Sequence, residues 1–242
     1  MELQKPLFIA LEGLRASGKS TLLKSLEAEV KGGRFTGYDN VVVTREVGGT
    51  AFGENVRQYF NGSLEAPLTA ETEVLLINAA RRENITQVIA PALQKDGNIV
   101  ITDRWLGSTF AYQSALKSVP IIDIVSLHSQ YCFGLETDLT ICLEISPKEA
   151  IKRASNRESP IEDTEENLEI LSTTGQGYWD LEWGLWRSKG TFRSINGMLD
   201  PDEVLKRAIT MIRAFAKKDE RPHEEGLGKW LMKNTRGTEK SQ

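Results

Sequence analysis

The chain has 242 residues, 40% of them apolar and 26% charged, with 30 basic and 34 acidic side chains giving a net charge of −4. That length and balance suit one soluble α/β domain, and no apolar run approaches the roughly 20 residues that cross a bilayer. A net negative chain is not built for broad adhesion to nucleic acid, and Met1 to Pro6 lacks the basic and then apolar pattern of a secretory leader, so a cytoplasmic protein without membrane contact is expected.

Leu7 to Leu11 is a short, continuous apolar run, the pattern of a strand buried on both faces of a parallel sheet. A helix is predicted from near Lys19, with Leu22, Leu23, Leu26 and Val30 on its buried side. Strand-like runs recur at Val41 to Thr44, Asn98 to Thr102 and Leu139 to Leu143, and a weaker one at Thr191 to Ile195. Between the second and third of these, Val74, Leu75, Ile77, Ile85, Val88 and Ile89 keep a helical period. Asp200-Pro201 opens a last helix, Asp as N-cap and Pro in the first turn. The alternation predicts an α/β doubly wound sheet of about five parallel strands with helices on both faces, which delivers binding residues to the carboxyl ends of the strands. From Lys217 to Gln242 the chain becomes polar apart from Leu227, Trp230, Leu231 and Met232, so residues 1–216 are expected to form the domain and 217–242 a mobile tail.

Cys132 and Cys142 have no metal-ligand spacing and are expected to be buried, reduced thiols. His128 and His223, the two histidines, receive no functional role.

The segment Gly13-Leu14-Arg15-Ala16-Ser17-Gly18-Lys19-Ser20 satisfies G-x-x-x-x-G-K-[ST] between a strand and a helix. Glycines let backbone N–H groups turn toward phosphate oxygens, and the helix N-terminus adds partial positive charge. Gly13, Ala16, Ser17, Gly18, Lys19, Ser20 and Thr21 are therefore the candidate ATP contacts, with Lys19 reaching the β and γ phosphates and Ser20 ligating Mg²⁺. Chemistry of this P-loop NTPase type leaves the acceptor open. Two arginines at strand ends, Arg45 and Arg104, suit a phosphate-bearing one, because the guanidinium fork matches phosphate oxygens.

Glu12-Gly13 entering the loop, Thr44-Arg45-Glu46 with Gly48-Gly49-Thr50, Ala79-Ala80-Arg81, Asp103-Arg104 and Ser108 with Ala111-Tyr112-Gln113 together resemble the thymidylate kinase family of nucleoside monophosphate kinases. The resemblance spans about residues 5 to 215 and implies transfer from ATP to a pyrimidine deoxynucleoside monophosphate, dTMP or a 5-substituted dUMP, by a homodimer. It implies that Arg45 and Arg104 hold the acceptor phosphate and that Asp103 helps position it and Mg²⁺. Arg81 would meet the base edge, Ile77 its face, Ser108 and Thr109 the base pocket, and Tyr112 the ribose. Residues 146–165 resemble the family's lid, with Arg153 and Arg157 closing over ATP, and Tyr178 stands where members carry a Tyr after the lid.

This sequence departs from the family at Arg15, where members carry Asp or Glu toward the acceptor's 3′-hydroxyl, at Ile77 in place of Phe, at Val47 in place of Pro, and at Glu162 near a frequent Arg. A cation cannot accept a hydrogen bond, so Arg15 either contacts the transferring phosphate or meets a negatively charged 3′ substituent. The alternative acceptor class is another modified nucleotide or a modified base in DNA. A protein that binds ATP without transferring it is the reading from a different class, and it fits poorly with a chain that retains Lys19, Ser20 and Asp103.

Overall fold

The computed structural model describes residues 3–60, 67–155, 165–183, 191–218 and 221–235. Its strands are β1 (Leu7–Gly13), β2 (Asn40–Arg45), β3 (Asn98–Asp103), β4 (Leu139–Glu144) and β5 (Phe192–Asn196). All pair in parallel, in the order β2-β3-β1-β4-β5. β1 thus lies between β3 and β4, where the strand order reverses. The carboxyl end of β1 faces the crevice where such sheets bind ligands.

Helix α1 (Lys19–Lys31) joins β1 to β2. Between β2 and β3 run α2 (Ala51–Phe60), α3 (Ala70–Asn84) and α4 (Ala90–Leu93), the last two bridged by a π-helical turn over Ile85–Ile89. After β3 come α5 (Leu106–Thr109), a π-helical stretch Phe110–Leu116, and α6 (Ile121–Tyr131). α7 (Pro147–Ala154) and α8 (Glu165–Trp183) precede β5, and α9 (Pro201–Ala216) and α10 (His223–Thr235) follow it. Asp200 caps α9 through Asp202 N with Pro201 in the first turn, as its sequence signal predicts. No described helix is long and apolar enough to cross a membrane.

Alternation along β1 assigns its side chains to two cores. Leu7, Ile9 and Leu11 pack with Leu22 and Leu26 of α1 and Ala208 and Ile212 of α9. Phe8 and Ala10 pack on the other face, with Val74 of α3, Phe110, Ile124 of α6 and Tyr178 of α8. Burying one large apolar side chain contributes about 1.5–3 kcal/mol, so these two layers hold the end of β1 firmly. Continuing the alternation, Glu12 emerges on the face of Phe8 and Ala10, among α5 and α8.

The carboxyl-terminal segment differs from the mobile tail predicted by its polarity. α10 docks on the body: Leu227 and Trp230, three residues apart on one helical face, pack against the core. His223 is buried, its Nδ1 2.8 Å from both carboxylate oxygens of Asp138, which also accepts the Phe8 amide at 2.8 Å. This contact lies at the amino ends of β1 and β4, opposite the crevice. We expect His223→Ala, which leaves a buried carboxylate short of a partner, to lower stability by about 1–3 kcal/mol in urea titrations. A change within about 0.5 kcal/mol would count against a docked helix.

The segment predicted as a lid, 146–165, also begins differently. Residues 147–154 are the anchored helix α7, with Ala150, Ile151 and Ala154 buried and Ser146 capping it through the Glu149 amide. Arg157 and Glu162 lie outside the described residues.

Candidate active site

The loop after β1 folds tightly against β4. Gly13 has φ +128°, and a Cβ there would stand 2.5 Å from the Leu143 carbonyl, so this position requires glycine. Gly18, at φ +106°, caps α1 without a side-chain bond, and the first turn of α1 holds no acidic residue. The amino end of α1 thus carries no anionic group of its own to meet its helix dipole, a setting that suits an anion. Ala16 also sits at positive φ, 64°. Ser17 is buried, and Arg15, Ser20 and Thr21 are exposed.

Lys19 is buried and folded back into the loop, its Nζ 3.0 Å from the Gly13 and Leu14 carbonyls and 3.5 Å from Ser17 Oγ. Burial pulls its pKa down to about 7, and the neighbouring Arg104 charge pulls the same way.

Asp103 and Arg104 leave the adjacent strand β3 beside this loop. Arg104 adopts φ 73°, a left-handed conformation that a non-glycine residue holds only when its surroundings over-determine it. Its Nη1 donates to Gly13 O (3.3 Å), Ser108 Oγ (3.0 Å) and Tyr178 Oη (3.0 Å), and the guanidinium lies 5.4 Å from the Tyr112 ring centre. Burial opposes the charge, but Tyr112, Tyr178, Glu12 and Asp103 outweigh it and raise the pKa above its ordinary value. Asp103 Oδ1 is buried with no partner among the described residues.

Glu12 lies beneath this arginine. Its carboxylate takes the amides of Trp105 (2.8 Å) and Ser108 (3.0 Å), Ser108 Oγ (2.5 Å) and Tyr178 Oη (3.2 Å). Burial raises its pKa, against the lowering effects of Ser108 and Arg104. The Tyr178 hydroxyl is buried in turn and pushed well above its usual pKa.

On the β2 side, Arg45 is exposed and forms a two-point pair with Glu54 of α2 (3.0 and 2.6 Å), which also accepts the Gly49 amide. Arg57, one turn further along α2, donates to Val47 O; burial and the nearby Arg45 lower its pKa. Arg81 on α3 has its side chain fully buried and pairs with Glu46 (2.7–3.0 Å), while Nη2 also donates to Thr109 Oγ1 at 2.8 Å. Its Nη1 has no partner among the described residues. Ile77, one turn before Arg81, is buried on the same helix.

The structure thus gathers Gly13, Lys19, Arg104, Ser108 and Tyr178 into one bonded group. Ser108, expected in the base pocket, instead spends its hydroxyl on Arg104, Glu12 and Tyr178. Thr109 holds Arg81. Arg153, expected over ATP, is tied to Glu149 (2.7 Å) and the Gly197 carbonyl (3.0 Å). Glu12 and Glu46 stand in the family motifs of the sequence without a role, and Glu54 and Arg57 carry none there either. Only Glu12 has a strong signal there, as the single charge in the all-buried strand Leu7–Gly13.

Residues 11–184 match the family model described as thymidylate kinase. The chain is 33% identical over 211 residues to the thymidylate kinase of Methylobacillus flagellatus, covering 86% of this chain and 97% of that protein. Over 167 residues it is 36% identical to the thymidylate kinase of Bdellovibrio bacteriovorus, covering 69% and 76%. The crystal structure of thymidylate kinase from Ehrlichia chaffeensis superposes with a TM-score of 0.66 at 26% identity, over 86% of this chain and 98% of that one. The P-loop fold, Lys19 at the start of α1 beside Arg104 after β3, and these likenesses converge: the chain belongs to the thymidylate kinase family.

Proposed function

We infer that this protein is an ATP-dependent nucleoside monophosphate kinase that phosphorylates dTMP to dTDP. One observation supports the two-nucleotide reading above others. The Gly13 carbonyl receives both Lys19, the cation of the donor loop, and Arg104, the cation at the end of β3, so donor and acceptor phosphates are expected to meet over that residue.

In this reading the loop amides and the amino end of α1 hold the β and γ phosphates, and Lys19 turns from its carbonyl partners to them. Arg104 and Arg45 align the acceptor phosphate, with Arg57 as a third cation. Glu54 occupies Arg45 without acceptor and yields it to a doubly charged phosphate. A nucleotide phosphate is already an anion at neutral pH, so no general base is required. His128 fits that view: burial and the Arg81 charge push its pKa down to about 3, leaving it a neutral packing group. Positioning and charge stabilisation supply the rate.

Mg²⁺ fits the residues present. Among the described residues no cluster of three or more His, Cys, Asp or Glu side chains could hold a metal ion alone. Ser20 and the unpartnered Asp103 Oδ1 instead offer the small protein share that suits Mg²⁺ bound chiefly through phosphates and water, where it would neutralise the β and γ oxygens. For the base, Arg81 is pre-aimed by Glu46 and Thr109, with Nη1 left for an acceptor atom on the pyrimidine edge and Ile77 against its face. α2, α3 and α6 expose Phe52, Leu75, Ile121, Ile122 and Val125, an apolar surface that supports a homodimer. The composition supports a cytoplasmic enzyme.

The test is product analysis with ATP, Mg²⁺ and a panel of dTMP, dUMP, dCMP, dAMP and a short DNA duplex. We expect phosphorylation of dTMP at the highest kcat/KM and no labelled DNA. Labelled DNA, with transfer that weakens steeply as salt rises, would replace the mononucleotide by a base in DNA.

A further inference from the structure

The carboxylate of Glu12 and the hydroxyls of Ser108 and Tyr178 form one network, in which the two hydroxyls are also 2.8 Å apart. Arg104 Nη1 can only donate, and it lies 3.0 Å from both hydroxyl oxygens. Each hydroxyl accepts there, so its own hydrogen must go elsewhere. Glu12 Oε2 receives the Ser108 hydrogen at 2.5 Å, and the Tyr178 hydrogen goes either to Oε2 at 3.2 Å or to Ser108 Oγ at 2.8 Å. Glu12 Oε1 is already filled by the amides of Trp105 and Ser108. Those amides come close because residue 107 is glycine; a Cβ there would lie 2.9 Å from Oε1. The carboxylate therefore takes at least three hydrogens and, directly for Ser108 and directly or through Ser108 for Tyr178, turns the hydroxyl lone-pair faces toward the guanidinium.

We propose that Glu12 is a positioning residue for Arg104: it sets the polarity of the two hydroxyls that aim the guanidinium at the acceptor phosphate, and through Tyr178 it makes that aim depend on the seating of α8. The claim rests on the kinase reading given above. Residues from β1, the β3 exit, α5 and α8 meet at this one carboxylate, so a shift of α8 removes one of the three acceptors that hold Arg104 Nη1. Glu12→Gln keeps the shape but puts an amide donor against either two hydroxyls or two backbone amides. In the first case the hydroxyl hydrogens turn toward Arg104 and expel it; in the second the Trp105 and Ser108 amides lose their acceptor.

The experiment is steady-state kinetics on wild type, Glu12→Gln, Tyr178→Phe and the double variant, with thermal melts of each. Glu12→Gln is expected to raise KM for dTMP by about 10-fold or more, since a hydrogen bond to a charged group is at stake. KM for ATP is expected to stay within about twofold, a split that a general loss of structure would not produce. Tyr178→Phe is expected to raise KM for dTMP by less, and the double variant to match Glu12→Gln, because both act through one group. A wild-type dTMP KM in Glu12→Gln, equal rises in both KM values, or additive effects would each overturn the proposal. If Glu12→Gln does not fold, Tyr178→Phe decides, and an unchanged dTMP KM there refutes it. A wild type active on dTMP with unaffected variants defeats this proposal alone, whereas a wild type inactive on every acceptor defeats the kinase reading as well.

Discussion

Lys19→Ala is expected to lower kcat by about 10²- to 10³-fold or more, the scale of removing one charged donor from a preorganised phosphate site. The side chain is buried in the loop on the Gly13 and Leu14 carbonyls, which hold it where the β and γ phosphates are expected to arrive. Because burial and Arg104 bring its pKa down to about 7 in the free protein, a growing share of the free protein carries neutral Lys19 as pH rises through 7. Polyphosphate beside it favours the charged form. ATP binding above pH 7 should therefore take up a proton, read as a dependence of the binding enthalpy on buffer ionisation heat, and Lys19→Ala should lose that uptake. Uptake that persists in the variant would assign the proton to another group.

Arg104→Ala is expected to reduce kcat/KM for dTMP by about 10²- to 10³-fold, in line with truncating one member of a buried, hydrogen-bonded charge pair. KM for ATP should change far less. Lysine at this position restores the charge without the fork, so Arg104→Lys should recover only part of the loss. A loss confined to a raised KM for ATP would put Arg104 on the donor side. The prediction is sharper for Arg104 than for Arg45, because Arg45 is exposed and paired with Glu54, so water compensates part of its loss.

The donor half of the site is readable from sequence because its constraint is local. Gly13, Gly18, Lys19 and Ser20 stand within one loop, and the apolar run before them and the helical period after them fix its place in a βα turn. Four of the five strands are equally plain as largely apolar runs, which the structure extends by one or two residues; the weaker fifth is shifted by one, to Phe192–Asn196. Arg104 follows from the rule that parallel strands deliver ligand residues at their carboxyl ends.

What surrounds it does not follow, because its partners are remote in sequence. Tyr178 and Glu12 are 166 residues apart, and nothing in the spacing announces that Ser108 turns toward them rather than toward a base. Arg81 is alike in being set by remote partners: its burial against Glu46 depends on how α3 packs beside the β2 exit. The tail misleads for a related reason. Its polarity is genuine, but Leu227 and Trp230 share one face, and Asp138, which catches His223, lies 85 residues earlier. Sheet topology creates these contacts, and local propensity does not encode them.

The central claim is direct phosphoryl transfer between two nucleotides bound on either side of Gly13. The most direct measurement follows ADP and dTDP together in quenched reactions containing ATP, Mg²⁺ and dTMP, with a control lacking dTMP. Equal amounts of ADP and dTDP are expected at every time, with almost no ADP in the control. ADP formed without matching dTDP, at the same rate whether or not dTMP is present, would contradict it.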